Sequence, residues 1–206
     1  MSEYHKIQTV WLRDPSTNHK TLLEGQWAKP EFGWLSGNEW VWTEKVDGTN
    51  IRIIPGDPMP VRGKTDNATT HPHLIAHCLE IAAKAEAMLD PGLTLYGEGF
   101  GAGIQKGGGS YRPDKGFVLF DVCMSNGVWL ERPNVYDIAV KLGIPAVPIV
   151  GVGPLTAAIE WVRYDRSKSA WGDFIPEGLV MRPAIELRNR FGERVITKLK
   201  RRDFGQ

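Results

Sequence analysis

Lys45 stands at the mouth of an Asp-Gly step, in the run Glu44-Lys45-Val46-Asp47-Gly48-Thr49-Asn50. A lysine placed there can act as a covalent nucleophile. It can equally be a surface lysine beside an ordinary hairpin, because Asp-Gly favours the type I′ turn. Lys198 and Lys200 lie two apart in a strand-like run, so they share one face and can aim two positive charges at the same phosphate. Glu98 sits between Gly97 and Gly99, and glycines let a backbone pass close to a ligand. Glu177 precedes Gly178 and an apolar run. Each segment alone also has a plain reading, as hairpin, solvated strand or turn.

These side chains need elements to position them. Thr9 to Leu12, Trp40 to Val46 and Ile51 to Ile54 are short, aromatic or β-branched, and separated by Gly, Pro and Asn, which reads as strands. A helix is expected from about Pro72 to Leu89, capped by Thr70, with Leu74, Cys78, Ile81, Ala82, Ala85 and Leu89 along one apolar face. Thr94 to Tyr96 returns to strand, and Phe117 to Val122 is apolar enough to be buried on both faces. Helices fit Val135 to Leu142 and Thr156 to Tyr164, with a strand from Ala146 to Val150 between them. Gly178 to Arg182 and Val195 to Lys200 close the chain as strands. Strands outnumber helices and do not alternate strictly with them. That argues for a single α+β domain over 1–206 with mainly antiparallel sheets, rather than a doubly wound parallel fold.

Composition excludes several classes. With 42% hydrophobic residues and eight tryptophans the chain can bury a core. A net charge of +1 gives no overall bias toward nucleic acid or membrane, so any basic surface must be local, as at Lys198, Lys200, Arg201 and Arg202. Cys78 and Cys123 provide neither a disulfide framework nor metal-ligand spacing. The N-terminus lacks a signal-peptide core and no apolar run reaches spanning length. The expectation is a cytoplasmic protein with no membrane partner.

Five segments in order join strand character to a useful polar residue: Lys45 to Gly48, Leu95 to Gly99, Phe117 to Val122, Glu177 to Arg182, and Lys198 to Lys200. This ordered set resembles the covalent nucleotidyltransferases: DNA ligases, RNA ligases and mRNA capping enzymes. Their motifs are a KxDG nucleophile, a glutamate motif, an aromatic-rich strand, an EG-hydrophobic motif and a KxK strand. The resemblance implies a nucleotidyltransferase (ATP-grasp-like) domain with its nucleotide cleft between the sheets. It implies that Lys45 attacks the α-phosphate of ATP. A free lysine has a pKa near ~10.4, and Lys198 and Lys200 would help to lower it and to stabilise charge on the phosphoryl group. Glu98 would bind the ribose. Phe120 would stack on the purine; it cannot share a face with Phe117, because alternate residues of a strand do. Glu177, with Asp47, would serve a Mg²⁺ or Mn²⁺ ion through bound water. Arg62 would contact nucleotide or RNA.

Glu44-Lys45-Val46-Asp47-Gly48-Thr49-Asn50 further resembles the EKxxGTN motif of the RNA ligase 2 type. There the glutamate helps to position adenine and the asparagine lies near metal and phosphate, roles that would fall to Glu44 and Asn50. Six residues follow Lys200, so neither an OB domain nor a C-terminal RNA-end domain is expected, and an accessory protein could replace the latter. The implied activity is ATP-dependent RNA ligation and RNA repair. DNA ligation, GTP-dependent capping-type transfer and a non-catalytic RNA-binding module are the alternatives. Two other patterns carry less. Gly97 to Gly103 resembles a dinucleotide loop but leads into loop residues 104–112 rather than a helix. His73 and His77 are four apart, yet no third ligand joins them, and with His71 they read as helix-end and surface histidines.

Overall fold

A computed structural model describes residues 3–65, 70–164 and 168–205. In chain order the elements are β1 (Gln8–Thr9), β2 (Trp11–Arg13), β3 (Leu22–Trp27), α1 (Pro30–Trp34), β4 (Trp40–Glu44), β5 (Thr49–Ile53), β6 (Val61–Arg62), α2 (Pro72–Met88), β7 (Leu93–Gly101), α3 (Gly108–Tyr111), β8 (Lys115–Met124), α4 (Arg132–Leu142), β9 (Ile149–Gly153), α5 (Leu155–Tyr164), β10 (Gly178–Pro183) and β11 (Thr197–Lys200). The architecture is α+β with mainly antiparallel pairing, as expected; β1 with β11 is a parallel pair. No helix among the described residues is long and apolar enough to cross a membrane.

The chain forms two compact units, one of Met1–His5 with Val46–Val147 and one of Lys6–Lys45 with Pro148–Gln206. The first is built on a four-stranded sheet in the order β6-β5-β7-β8. Ile51, Ile53, Leu95, Phe117, Leu119 and Val122 line one face and pack against Leu74, Cys78 and Ile81 of α2 and Val135, Ile138 and Leu142 of α4. Burying each such side chain contributes roughly 1.5–3 kcal/mol. Pro72 suits the first turn of α2, where a missing N–H costs nothing. The cap is His71 rather than Thr70: its Nδ1 accepts from the His73 N–H at 3.3 Å. α4 stops at Gly143, whose left-handed φ of 64° lets the chain reverse.

The second unit holds a five-stranded sheet in the order β1-β11-β10-β4-β9 and a small β2-β3 ribbon. Trp40, Trp42, Leu179, Met181 and Leu199 face Leu155, Ala158, Ile159 and Val162 of α5, with Phe32 of α1 in the same core. The strand expected at 146–150 lies slightly later, as β9, because Ala146 instead bridges to Leu119 in the first unit.

The hairpin reading of Asp47-Gly48 is excluded. β4 pairs with β10 and β9, whereas β5 pairs with β6 and β7, so the segment passes from one sheet to another. Gly48 does not take the positive φ a type I′ turn demands. It is needed for another reason: a Cβ there would collide with the Gly99 carbonyl oxygen of β7. The dinucleotide-loop reading also fails, since Gly97 to Gly101 continue β7. Residues 104–112 are not wholly loop, because they include the short α3.

Candidate active-site residues

Sheet register explains the arrangement around Lys45. Leu179 pairs with both Leu199 and Glu44, which puts Glu44 on the α5 side of the sheet with those two leucines. The next row belongs to the opposite face. There Gly178 pairs with Lys200, and the Lys45 N–H donates to the Gly178 carbonyl at 2.9 Å. Gly178 thus lies between the two lysines and carries no side chain to separate them. Nor could it: a Cβ at Gly178 would collide with the Leu199 carbonyl oxygen.

Glu177, one residue earlier, fills that gap. Lys45 Nζ donates to its Oε2 at 2.5 Å, and Lys200 Nζ reaches its Oε1 at 2.5 Å. Burial pushes the Glu177 carboxyl up, but Lys45 and Lys200 together outweigh it and hold it below the usual carboxylate range. The Glu177 carbonyl accepts from the Arg201 N–H at 2.9 Å, and the Lys200 N–H donates to Asp203 at 3.0 Å, so the backbone on both sides is fixed. Lys198 lies on the same face of β11 as Lys200, opposite Leu199, and pairs across to Val180. The shared face expected of the two lysines is therefore present. The Lys200 ammonium reaches the same carboxylate that holds Lys45.

Glu44, adjacent to Lys45, points the other way. It is buried, and its carboxylate accepts from Ser169 Oγ at 2.5 Å and from the Ala170 N–H at 2.9 Å. Burial raises its pKa above the ordinary value, with the two hydrogen bonds acting in the opposite direction. Ser169 carried no signal in the sequence.

In the other unit, Asn50 of β5 pairs directly with Glu98 of β7, and Arg52 with Tyr96. Residues two apart share a face, so all four project from the side of the sheet opposite α2 and α4. Asn50 Oδ1 is buried and has no hydrogen-bond partner. A bulge between Tyr96 and Gly97 skips Phe120, so that Asp121 pairs with Tyr96 and Leu119 with Gly97. Such a bulge re-aims the side chain it displaces. Phe117 is fully buried in the helix-packed core, while Phe120 is half-buried with its ring edge-on to Tyr4 at 5.0 Å. Register separates the two phenylalanines as anticipated.

The bulge is clamped. Tyr4 Oη donates to Asp121 Oδ2 at 2.5 Å, and Arg132 donates to Asp121 Oδ1 at 3.1 Å and also to the Phe120 carbonyl. Tyr4, Tyr96 and Trp129 pack ring against ring beside it. Sequence reading missed Tyr4, Arg52, Asp121 and Arg132. The period-two spacing of Asn50 with Arg52 could have revealed Arg52; nothing local marks Tyr4.

Asp47 and Gly48 are held from the α3 side. The Asp47 N–H donates to Tyr111 Oη at 3.2 Å, and Gln105 Nε2 donates to the Gly48 carbonyl at 3.2 Å. Arg62 is turned to its own loop, with Nη2 on Asp57 at 2.8 Å and Nε on the Met59 carbonyl at 3.3 Å. His71, His73 and His77 are not part of a metal cluster: among the described residues no group of three or more His, Cys, Asp or Glu is arranged to hold an ion.

The RNA ligase family profile matches residues 38–200, and the chain belongs to that family. No curated protein sequence matches it. Among solved structures it is similar to Naegleria gruberi RNA ligase with PPi, at 18% identity and a TM-score of 0.70, covering 99% of this chain and 57% of that one. A mutant of the same ligase with ATP and Mn matches at 20% identity and a TM-score of 0.63, covering 96% and 57%. Another mutant, with AMP and Mn, matches at 16% and 0.65, covering 99% and 59%. These likenesses show the fold, and the chain spans a little over half the length of that ligase.

Proposed function

We propose that this protein is an ATP-dependent RNA ligase that joins 5′-phosphate and 3′-hydroxyl RNA ends through a lysyl-AMP intermediate. The observation that carries the proposal is the pairing of Lys45 and Lys200 on the two oxygens of Glu177. Membership of the RNA ligase family supports it, as does the likeness to a ligase whose structures carry ATP, AMP and Mn.

In the first step Lys45 Nζ, having lost a proton, attacks the α-phosphorus of ATP. A P–N bond forms, the bond to the bridging oxygen breaks and pyrophosphate leaves. AMP then passes to an RNA 5′-phosphate, restoring Lys45, and a 3′-hydroxyl displaces AMP to form the phosphodiester. The protein's part is positioning and charge stabilisation, as in phosphoryl transfer generally. Lys200 and Lys198 supply positive charge to the phosphates and leaving group. Glu177 aligns Lys45 before the nucleotide arrives. Glu98 binds the ribose hydroxyls and Phe120 stacks on the base. Asn50, with its unpartnered oxygen, offers an acceptor for a metal-bound water near the phosphates. Glu44 acts on the nucleotide through the Ser169–Ala170 turn that it holds, and Arg62 contributes to nucleotide or RNA contact on leaving Asp57.

The donor set fits a Mg²⁺ or Mn²⁺ ion that arrives with the nucleotide rather than one caged by protein, since such ions keep waters and use few carboxylates plus phosphates. Glu177 and Asp47 would hold it through bound water. When bound, the ion neutralises charge on the phosphates. The proposed partners are RNA and an accessory protein that binds broken ends, and the two free cysteines suit a reducing cytoplasm.

Incubation with ATP labelled at the α-phosphate, followed by a denaturing gel, tests the proposal. Label should appear on the wild-type protein and be absent from Lys45→Ala. Label surviving on that variant would sink it. GTP in place of ATP, and a chase with nicked DNA in place of RNA, separate the capping and DNA-joining activities.

A further inference from the structure

We infer that the hairpin 186–194 between β10 and β11 is a stacking platform for an unpaired base of single-stranded RNA. This deepens, and rests on, the RNA ligase function proposed above. Phe191 sits at the hairpin tip with 73% of its surface exposed. A single exposed phenylalanine is unremarkable. What distinguishes this one is how firmly the tip is built around it. Asn189 Oδ1 accepts from the Phe191 and Glu193 N–H groups, each at 3.0 Å, and the Asn189 N–H donates to the Glu193 carbonyl at 2.8 Å. Gly192, at φ 77°, makes the reversal, a conformation that a residue with a side chain rarely adopts.

The base of the hairpin is equally fixed. Arg194 grips Glu186 with two hydrogen bonds, at 2.5 and 2.8 Å, and Lys29 pairs with Glu193 at 2.8 Å. Both carboxylates of the segment are thereby neutralised. Arg188 and Arg190 are exposed beside the tip, and the Arg190 guanidinium lies 4.7 Å from the Phe191 ring centre. An exposed ring with a planar cation on it and further positive charge beside it suits nucleic acid. Bases stack on aromatic rings and guanidinium planes without regard to sequence, and the phosphates meet the arginines. An apolar protein partner would make no use of the exposed Arg190 cation beside the ring, so the charge selects RNA. The exposed tip also has little to do in the core, which is why its loss should leave folding intact.

The test uses the full chain and a short fluorescein-labelled single-stranded RNA, with anisotropy measured at several salt concentrations. Phe191→Ala should weaken binding roughly 5- to 150-fold, as expected for loss of one stacked base, while Phe191→Trp should retain it. Arg190→Ala should flatten the logarithmic salt dependence by about 0.7 for each phosphate it no longer neutralises. Labelling of Lys45 from α-labelled ATP should be unchanged in all three variants, which also shows them folded. RNA binding by Phe191→Ala equal to wild type, or no RNA binding by the wild type, overturns the inference. Absence of Lys45 labelling alongside a Phe191-dependent RNA affinity instead overturns the ligase function and leaves the platform standing.

Discussion

At the Lys45 end of the five-stranded sheet, side chains are held by charge: two ammonium groups share one carboxylate across a glycine. On the Glu98 face of the four-stranded sheet they are held by shape. Strand alternation turns Phe120 out of the core, and a bulge sets Asp121 beside it, where a tyrosine and an arginine hold the aspartate. On the function proposed, the first arrangement responds when a charged nucleotide arrives and draws the lysines from Glu177. The second is a preformed surface whose geometry is set by packing. The proposed ligase function calls for both, one to change charge during reaction and one to stay still while it does.

The largest effect expected on this comparison concerns the two phenylalanines of β8. Phe117→Ala should cost about 3–5 kcal/mol of stability in urea unfolding, the usual loss for a phenylalanine deleted from a packed core. Phe120→Ala should cost about 1 kcal/mol, mainly its edge-on contact with Tyr4. It should instead raise the ATP concentration needed for half-maximal labelling. If the two variants unfold alike, β8 does not divide a core face from the face opposite α2 and α4, and the comparison breaks.

Next comes the charged end. Lys200→Ala should slow lysyl-AMP formation about 10²–10³-fold, the range for removing one group that stabilises developing charge. Its stability should change by less than about 1 kcal/mol, because partly exposed ion pairs contribute little. A time course of α-label incorporation read beside urea unfolding separates the two. A large stability loss with unaltered labelling would mean that the Lys200–Glu177 pair is structural.

Sequence made the first region legible and the second only in outline. Lys45, Glu177, Lys198 and Lys200 form short motifs, and sheet register then brings three of them together at the Glu177 carboxylate. The facing of Lys198 with Lys200 followed from strand periodicity alone. Asp121, Tyr4 and Arg132 escaped because their meeting depends on pairings up to 117 positions apart and on a bulge that no residue type announces. The alternative of a hairpin at Asp47-Gly48 is excluded for the same reason. Turn preference is local, while the choice of sheet for β5 was made by its pairing with β7. Arg62 shows the converse, since it pairs with a local neighbour, Asp57, that the resemblance to ligases did not suggest. Hairpin 186–194 has no motif at all, and its platform is visible only once Phe191 is seen exposed.

The smallest expected effect sharpens the contrast within the second unit, where burial raises two glutamates alike but two lysines reverse the shift at only one of them. The Glu44 carboxyl is raised above its ordinary value by burial, against the pull of Ser169 and Ala170. A carboxyl that protonates more readily when folded contributes stability below its unfolded pKa, near ~4.3, and loses that contribution as pH rises through the raised value. Glu177 has the opposite sign: its lowered value means stability that is present above ~4.3 and lost as pH falls through that lowered value. Urea unfolding of Glu44→Gln should therefore improve relative to wild type as pH rises from acidic to neutral; the glutamine oxygen still accepts from the Ala170 N–H while its NH₂ donates to Ser169 Oγ. Glu177→Gln should worsen over the same range. Parallel pH trends would show that the Lys45 and Lys200 pairs do not hold Glu177 ionised. The charged end would then be a hydrogen-bonded surface like the one around Asp121.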